Sequence, residues 1–211
     1  ADGGRISSVT SETLAPSSQF HSFMLGLAWL AVASVISAHS GRAGEVIGAT
    51  GRIGSLLLRT GQGSLAATPR GVAPGDLSPP GTPIIVTTPA EALHEVLAST
   101  PKHRIQDLCL LSNGMVTEVA SEVLGSEAAA QVTAGVLYFG VLRPGADPTS
   151  GACAPPTVVA GPHAGTVAAL VRRTGAVRCE ELPNLDALAG VASLKMLWSS
   201  ALWLVCAVRT C

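Results

Sequence analysis

The sequence predicts an α/β fold built on a mainly parallel sheet. Two observations predict it: short apolar runs alternate with helical runs from Glu45 onward, and 211 residues are enough to bury a full core. The predicted strands cover residues 45–48, 64–68, 83–88, 107–111, 132–142 and 157–160. The predicted helices cover residues 54–60, 90–99, 115–124, 165–174 and 185–208.

A glycine turn follows the first predicted strand, in the stretch EVIGATGRIGSLLLRTG. Gly48, Gly51 and Gly54 have the spacing G-x-x-G-x-x-G. In that order they allow a tight turn, the approach of a pyrophosphate to the backbone, and close packing of the helix on the sheet. The pattern therefore indicates a Rossmann-like, dinucleotide-binding domain. The alternative is a strand–helix turn that holds no ligand.

A residue that binds the ribose 2′-OH or 2′-phosphate of the dinucleotide is expected shortly after the second strand of such a domain. No acidic residue ends that strand here, and Arg70 follows it instead. A guanidinium at this place suits a 2′-phosphate, which favours NADP over NAD. Two alternatives stay open: Arg70 is a solvated loop residue, or Asp76, deeper in the loop, reads the ribose.

The stretch PRGVAPGDLSPPGTP, residues 69–83, is dense in proline and glycine and is predicted to be a loop. It occupies the place of the second helix and third strand of a complete nucleotide-binding half. The predicted sheet is therefore abbreviated, with helices flanking it.

The N-terminal region has two parts. Residues 1–19 are rich in Ser, Thr and Gly and predict an extended arm, and Ala1 is interpreted as a processed N-terminus. Residues 20–40, around Trp29, predict a hydrophobic helix, whose 16 uncharged residues from Phe23 to Ala38 rise about 24 Å. A membrane span, a buried or partner-docking helix, and a signal-peptide core are the three interpretations.

Composition excludes several classes of function. A net charge of −1 provides no cationic surface for nucleic acid. The five histidines and five cysteines have no metal-site spacing and no C-x-x-C, so we expect no metal and reduced thiols in a reducing compartment. Charged residues make up only 13%, against about 25% usually, which predicts that some surface faces lipid or a partner.

From Glu45 to the C-terminus the chain resembles a known family. VIGATGRIG, PIIVTTPAEAL, LLSNGMV, VLYFGVLRPG with TVVAGPHAG, and LKMLWSSALWLV follow in order the landmarks of ketopantoate reductase-like proteins. The prolines of the loop make it similar to divergent members from photosynthetic eukaryotes and cyanobacteria. The resemblance implies an NADP-dependent Rossmann domain, residues 44–184, and a helical domain of which residues 185–211 keep only the first helix.

The resemblance also assigns residues. Asn113 matches the Asn of the N-G-M turn near nicotinamide and substrate, and Lys195 matches the Lys that donates a proton to the substrate carbonyl. Ser199 stands where the family usually has a substrate-binding Asn, and Pro89 where a Lys is common. Without the resemblance to this family, the sequence would indicate that Lys195 is a surface residue and that Asn113 belongs to an ordinary turn.

These departures favour a degenerate Rossmann protein that acts as a structural or assembly subunit. Helices around Trp29 and Trp198 would dock on lipid or a membrane protein complex. A plastid thylakoid complex such as a photosystem is the expected host, and a soluble reducing compartment is the alternative. Two other functions stay open: an NADP-dependent reductase of a 2-keto acid, and an NADP-binding sensor without turnover.

Overall fold

The computed structural model describes residues 41–151, 153–175 and 177–209. The predicted arm, residues 1–19, and the predicted hydrophobic helix, residues 20–40 with Trp29, lie outside the described residues. The predicted α/β fold is confirmed by the sheet and helices that follow.

The described strands form one large sheet and one small one. The large sheet has seven strands in the order β2-β1-β3-β4-β5-β8-β9. Its strands are β1 Gly44–Ile47, β2 Leu65–Thr68, β3 Ile84–Val86, β4 Leu108–Leu110, β5 Thr133–Val136, β8 Thr157–Ala160 and β9 Cys179–Glu181. The strands β6 Gly140–Val141 and β7 Pro148–Thr149 pair with each other. In the large sheet β1 to β5 run parallel, whereas β8 is antiparallel to β5 and β9 is parallel to β8.

Six α-helices and one 3₁₀ helix occur in the described part of the chain. They are α1 Arg52–Thr60, α2 Ala90–Ser99, the 3₁₀ helix Lys102–Asp107, α3 Val116–Leu124, α4 Ser126–Ala129, α5 Ala164–Arg172 and α6 Leu185–Arg209. Five of them match the predicted helices, while the 3₁₀ helix and α4 were not predicted. The short strand β9 was not predicted either.

The predicted strand 132–142 is wrong as a single element. Strand β5 ends at Val136, and a separate short strand begins at Gly140. Immediately after β5, the carbonyl of Leu137 accepts a bond from Lys195, and the N–H of Tyr138 donates to Thr157 Oγ1. These side-chain bonds take the backbone groups that a continuing strand would offer to its neighbour.

Two apolar clusters cover the two faces of the sheet. The face that carries Ile84 and Leu108 packs against α2, α3 and the first turns of α6. The opposite face carries Ile85 and Cys109 and packs against α1 and α5. Burial raises the pKa of the Cys109 thiol, so this cysteine is a neutral packing residue.

The loop between β2 and β3 contains no helix and is fixed by buried charges. Glu45, fully buried on β1, accepts hydrogen bonds from the N–H groups of Gly75 (2.6 Å) and Leu77 (3.0 Å). Among the described strands none lies beyond β2, which is the edge of the sheet. The predicted abbreviation of the sheet is confirmed, because the loop leads straight from this edge to β3.

Arg104 and Asp107 hold the same loop from the 3₁₀ helix. Both are at most 2% exposed, and Arg104 Nε lies 2.6 Å from Asp107 Oδ2. The Arg104 guanidinium also donates to the carbonyls of Gly75 and Ser78, and Asp107 accepts from Gly81 N–H at 3.0 Å. A buried charge is tolerated only when it is paired and hydrogen-bonded, and the loop backbone provides those bonds.

The last helix, α6, is apolar; its first turns pack against the core and its later turns are exposed. Leu188 and Ala192 are buried, whereas Trp198 is 62% exposed and Trp203 is 76% exposed. Its residues Leu185–Val208 have the length and composition of a membrane-crossing helix, with a mean hydropathy of 1.6 over a stretch of 18 residues. We call residues 196–208 the exposed end of α6.

We expect Arg104→Ala to lower the free energy of unfolding by about 3–5 kcal/mol, because it removes the guanidinium that pairs with the buried Asp107 carboxylate and the donor to several loop carbonyls. Arg59→Ala is the matched control. Arg59 also pairs with an aspartate, Asp147, at 2.8 Å, but those two side chains are 47% and 90% exposed. Arg59→Ala should lower the free energy of unfolding by less than about 1 kcal/mol. Urea unfolding measures both, and equal losses would contradict the role of the buried pair.

Candidate functional site

Two glycines of the turn after β1 are required by the backbone itself. Gly48 has φ +83, and a Cβ there would lie 2.9 Å from Thr87 Oγ1. A Cβ on Gly54 would collide with the Gly48 carbonyl oxygen and lie 2.8 Å from the Gly48 carbonyl carbon. Helix α1 therefore starts in direct contact with the turn, and both positions exclude any side chain.

The middle glycine leaves open space above the helix start. Gly51 is exposed and N-caps α1, and a Cβ there would meet only the Gly48 carbonyl oxygen, at 3.1 Å. No side chain caps α1, and its first turn contains no acidic residue. The first N–H groups of α1 and the positive end of its dipole are thus available to an anion. This cradle fits a pyrophosphate.

The predicted ribose-reading residue lies beside this turn. Thr68 ends β2 and pairs in register with Ile47, which ends β1, so Arg70 follows the neighbouring strand end. Arg70 is exposed, and no carboxylate pairs with it in the described part of the chain. The acidic alternative, Asp76, stands between the two residues that bind Glu45, near the start of β1 rather than its end.

Sequence reasoning missed Arg52, the first residue of α1. Arg52 is exposed and carries a positive charge at the positive end of the helix dipole, where cations are disfavoured. That mismatch was visible in the sequence. It is the arrangement expected where an anion binds.

Lys195 and Asn113, 82 residues apart in sequence, are in contact. Lys195 Nζ donates to Asn113 Oδ1 at 2.8 Å and to the Leu137 carbonyl at 2.9 Å. It also lies 5.7 Å from the centroid of the Tyr138 ring. Asn113 follows β4 and Leu137 follows β5, so the ammonium sits at the carboxyl ends of these strands.

The environment of Lys195 leaves it one hydrogen for a ligand. An ammonium has three N–H donors, and two are taken by the oxygens of Asn113 and Leu137. Burial lowers the pKa of Lys195 because desolvation disfavours its charged form. The third N–H of Lys195 can donate to a ligand oxygen.

For the other two residues assigned by resemblance, the structure describes no side-chain contact with Lys195. Ser199 is half-buried one turn further along α6, and Pro89 is exposed at the start of α2. Sequence reasoning missed Thr88, which follows β3. Its Oγ1 is buried and has no hydrogen-bond partner among the described residues. Such an orphaned hydroxyl at a strand end fits a polar ligand.

All of these groups line one edge of the sheet. The strand order reverses between β1 and β3, because β2 lies on one side of β1 and β3 on the other. Ligands of open α/β sheets bind in the crevice at such a reversal. Lys195 lies two to three strand spacings from the glycine turn, about 10–14 Å. Within the described residues, no group of three metal-ligating side chains occurs.

No family model matches this sequence, and no curated protein matches it. Among solved structures, it is similar to a ketopantoate reductase of the PanE/ApbA family from Ralstonia eutropha JMP134, with 16% identity, a TM-score of 0.40 and coverage of 67% of this chain and 57% of that one. The 2-dehydropantoate 2-reductase from Geobacter metallireducens GS-15 has 17% identity, a TM-score of 0.40 and coverage of 65% and 57%.

A D-mandelate dehydrogenase, solved with NADH and anilino(oxo)acetate, has 13% identity, a TM-score of 0.38 and coverage of 68% of this chain and 58% of that one. The matched region therefore spans less than three fifths of each of these three proteins. The fold assignment stands on this chain's own sheet order and glycine turn.

Proposed function

We propose that this chain binds NADP(H) along the carboxyl edge of its sheet and reduces a small 2-oxo acid, with Lys195 as the proton donor. One observation carries the proposal. The Lys195 ammonium is held by Asn113 Oδ1 and the Leu137 carbonyl on the same edge of the sheet as the open glycine turn. A dinucleotide that begins at the turn would extend toward this ammonium.

The residues of the turn fit the cofactor as follows. Gly51 and the first N–H groups of α1 would hold the pyrophosphate, because only a glycine lets it approach the backbone there. Arg70 would pair with the 2′-phosphate of NADP, which a guanidinium can bind in bidentate fashion. When bound, NADPH supplies the hydride for the reduction.

Lys195 acts on the substrate oxygen. As the carbonyl carbon receives the hydride, the oxygen takes a proton from Lys195 Nζ, which gives a 2-hydroxy acid and a neutral amine. The amine then regains a proton from water. Before transfer, the ammonium polarises the carbonyl, and Asn113 and Leu137 keep Nζ at the strand ends so that this charge is aimed in advance.

Arg70→Ala should weaken the binding of NADPH about 10- to 100-fold more than the binding of NADH, because only NADPH carries the phosphate that the guanidinium would bind. Gly51→Val is the comparison. Its side chain would block the pyrophosphate, which NADPH and NADH share, so it should weaken the binding of the two cofactors equally. Isothermal titration calorimetry with each cofactor measures the four affinities. Equal weakening of NADPH and NADH by Arg70→Ala would remove Arg70 from the site.

Lys195→Met should lower kcat for NADPH-dependent ketopantoate reduction by about 10²- to 10⁴-fold and leave NADPH affinity unchanged. Because the neutral amine cannot donate, wild-type kcat should fall as pH rises through the pKa of Lys195, which burial places below its ordinary value. The initial rate of NADPH oxidation measures both effects. A wild type that binds NADPH but turns over no 2-oxo acid would favour the sensor function.

A second candidate function is that of a subunit of a membrane complex, and the exposed end of α6 favours it. Its large apolar side chains include Trp198, Trp203 and Leu204, each more than 60% exposed. Each would gain about 1.5–3 kcal/mol on burial. We propose that this end docks on a partner protein or lipid, with a plastid thylakoid complex such as a photosystem as the specific form.

The docking proposal predicts a change in fractionation. In detergent extracts of the source membranes, wild-type chain should co-migrate with a large complex, whereas Trp198→Glu/Trp203→Glu should migrate as a small species. Lys102→Glu, an exposed change in the 3₁₀ helix, is the control and should behave as wild type. Gel filtration followed by immunodetection measures this. A wild-type chain recovered as a soluble monomer would refute the proposal.

A further inference from the structure

We propose that Tyr138 is a positioning residue for Lys195, and that the face of its ring holds the ammonium against the carboxyl ends of β4 and β5. The inference rests on the proposed role of Lys195 as proton donor. Lys195 Nζ lies 5.7 Å from the ring centroid, within the range of about 6 Å in which a cation is attracted by an aromatic face.

The ring and the carbonyl that hold Lys195 belong to consecutive residues. Leu137 provides the carbonyl, at 2.9 Å, and Tyr138 provides the ring. The Tyr138 N–H donates to Thr157 Oγ1 at 3.0 Å, and Thr157 is fully buried at the start of β8. Because β8 pairs with β5, this bond fixes the dipeptide to the sheet. Lys195 therefore rests on a rigid support.

Every described partner of the ammonium is neutral. Lys195 forms no ion pair with a described carboxylate, and its contacts are the Asn113 amide oxygen, the Leu137 carbonyl and the Tyr138 ring. Burial opposes the charged form of Lys195. The ring face favours that form, as do the two oxygens. Tyr138 thus helps keep Lys195 protonated where no described carboxylate does so.

The contact depends on the ring rather than on the hydroxyl. Among the described residues, no hydrogen bond is formed by the Tyr138 hydroxyl, whereas the ring lies beside Nζ. Burial raises the pKa of Tyr138, so its phenol is neutral at neutral and mildly alkaline pH. Phenylalanine at this position should therefore serve as well as tyrosine, and an aliphatic side chain should not.

The test is a lysine titration by NMR of the full chain. The sequence contains only two lysines, Lys102 and Lys195, so protein labelled with ¹³C,¹⁵N-lysine shows two side-chain signals. Lys102 is exposed and is the internal reference, and Lys102→Arg assigns the signals. Tyr138→Leu should lower the pKa of Lys195 by about 0.5–1.5 units, and Tyr138→Phe should leave it unchanged. The pKa of Lys102 should not move in either variant.

An unchanged Lys195 pKa in Tyr138→Leu would overturn the inference, and so would an equal fall in Tyr138→Phe, because the hydroxyl would then be responsible. Tyr138→Met replaces Tyr138→Leu if the latter does not fold. The titration needs neither cofactor nor turnover, so its result is separate from that of the proposed function. In an active enzyme, the alkaline limb of the kcat profile should move with the pKa of Lys195 while KM stays constant.

Discussion

Three buried charged residues, Glu45, Arg104 and Asp107, hold the loop between β2 and β3 in place. The arrangement of the rest of the sheet depends on this loop. A crossover without a helix leaves its backbone N–H and C=O groups without the partners that a helix would provide. Glu45 binds two of those N–H groups, Asp107 binds a third, and Arg104 binds carbonyls of the same loop. Because Glu45 is the second residue of β1 and Asp107 directly precedes β4, these charges also tie the loop to two strands that lead to the candidate site.

The site itself is divided along the edge of the sheet. Cations and open backbone N–H groups gather at the ends of β1 and β2, where Arg52 and Arg70 are exposed. A single ammonium, held by neutral groups, stands at the ends of β4 and β5. In the proposed function, the first region would bind the phosphates of the cofactor and the second would donate to the oxygen of the substrate. Thr88, whose hydroxyl has no hydrogen-bond partner among the described residues, follows β3, the strand between β1 and β4.

Local patterns predicted the part of this fold that depends on local rules. Alternating apolar runs located most strands, and the glycine spacing located the turn at Gly48, because its steric requirement is set by neighbouring residues. Strand β9 was missed because two of its three residues are glutamates, which carry no strand signal. The partners of the loop were missed because Glu45 lies 30 residues from Gly75, and no periodicity links such distant residues.

The candidate site was predictable only in part for the same reason. Asn113 and Lys195 were identified by the order of motifs along the chain, since nothing in their immediate neighbours marks them. Tyr138 was placed inside a long apolar run that reads as a continuous strand. Its role depends on where β5 stops, and that is set by bonds to Lys195 and Thr157, which lie far away in sequence.

Because β8 and β9 run in the reversed direction, the length of the first ten residues of α6 determines where Lys195 lies. Because both strands run against the parallel set, β9 ends at the amino edge of the sheet, and α6 must climb from there. Ten residues of helix rise about 15 Å, close to the height of a four-residue strand, and so deliver Lys195 to the opposite edge. Adding one residue would turn the ammonium about 100° away from Asn113. The length of this segment is therefore as much a part of the site as its residues.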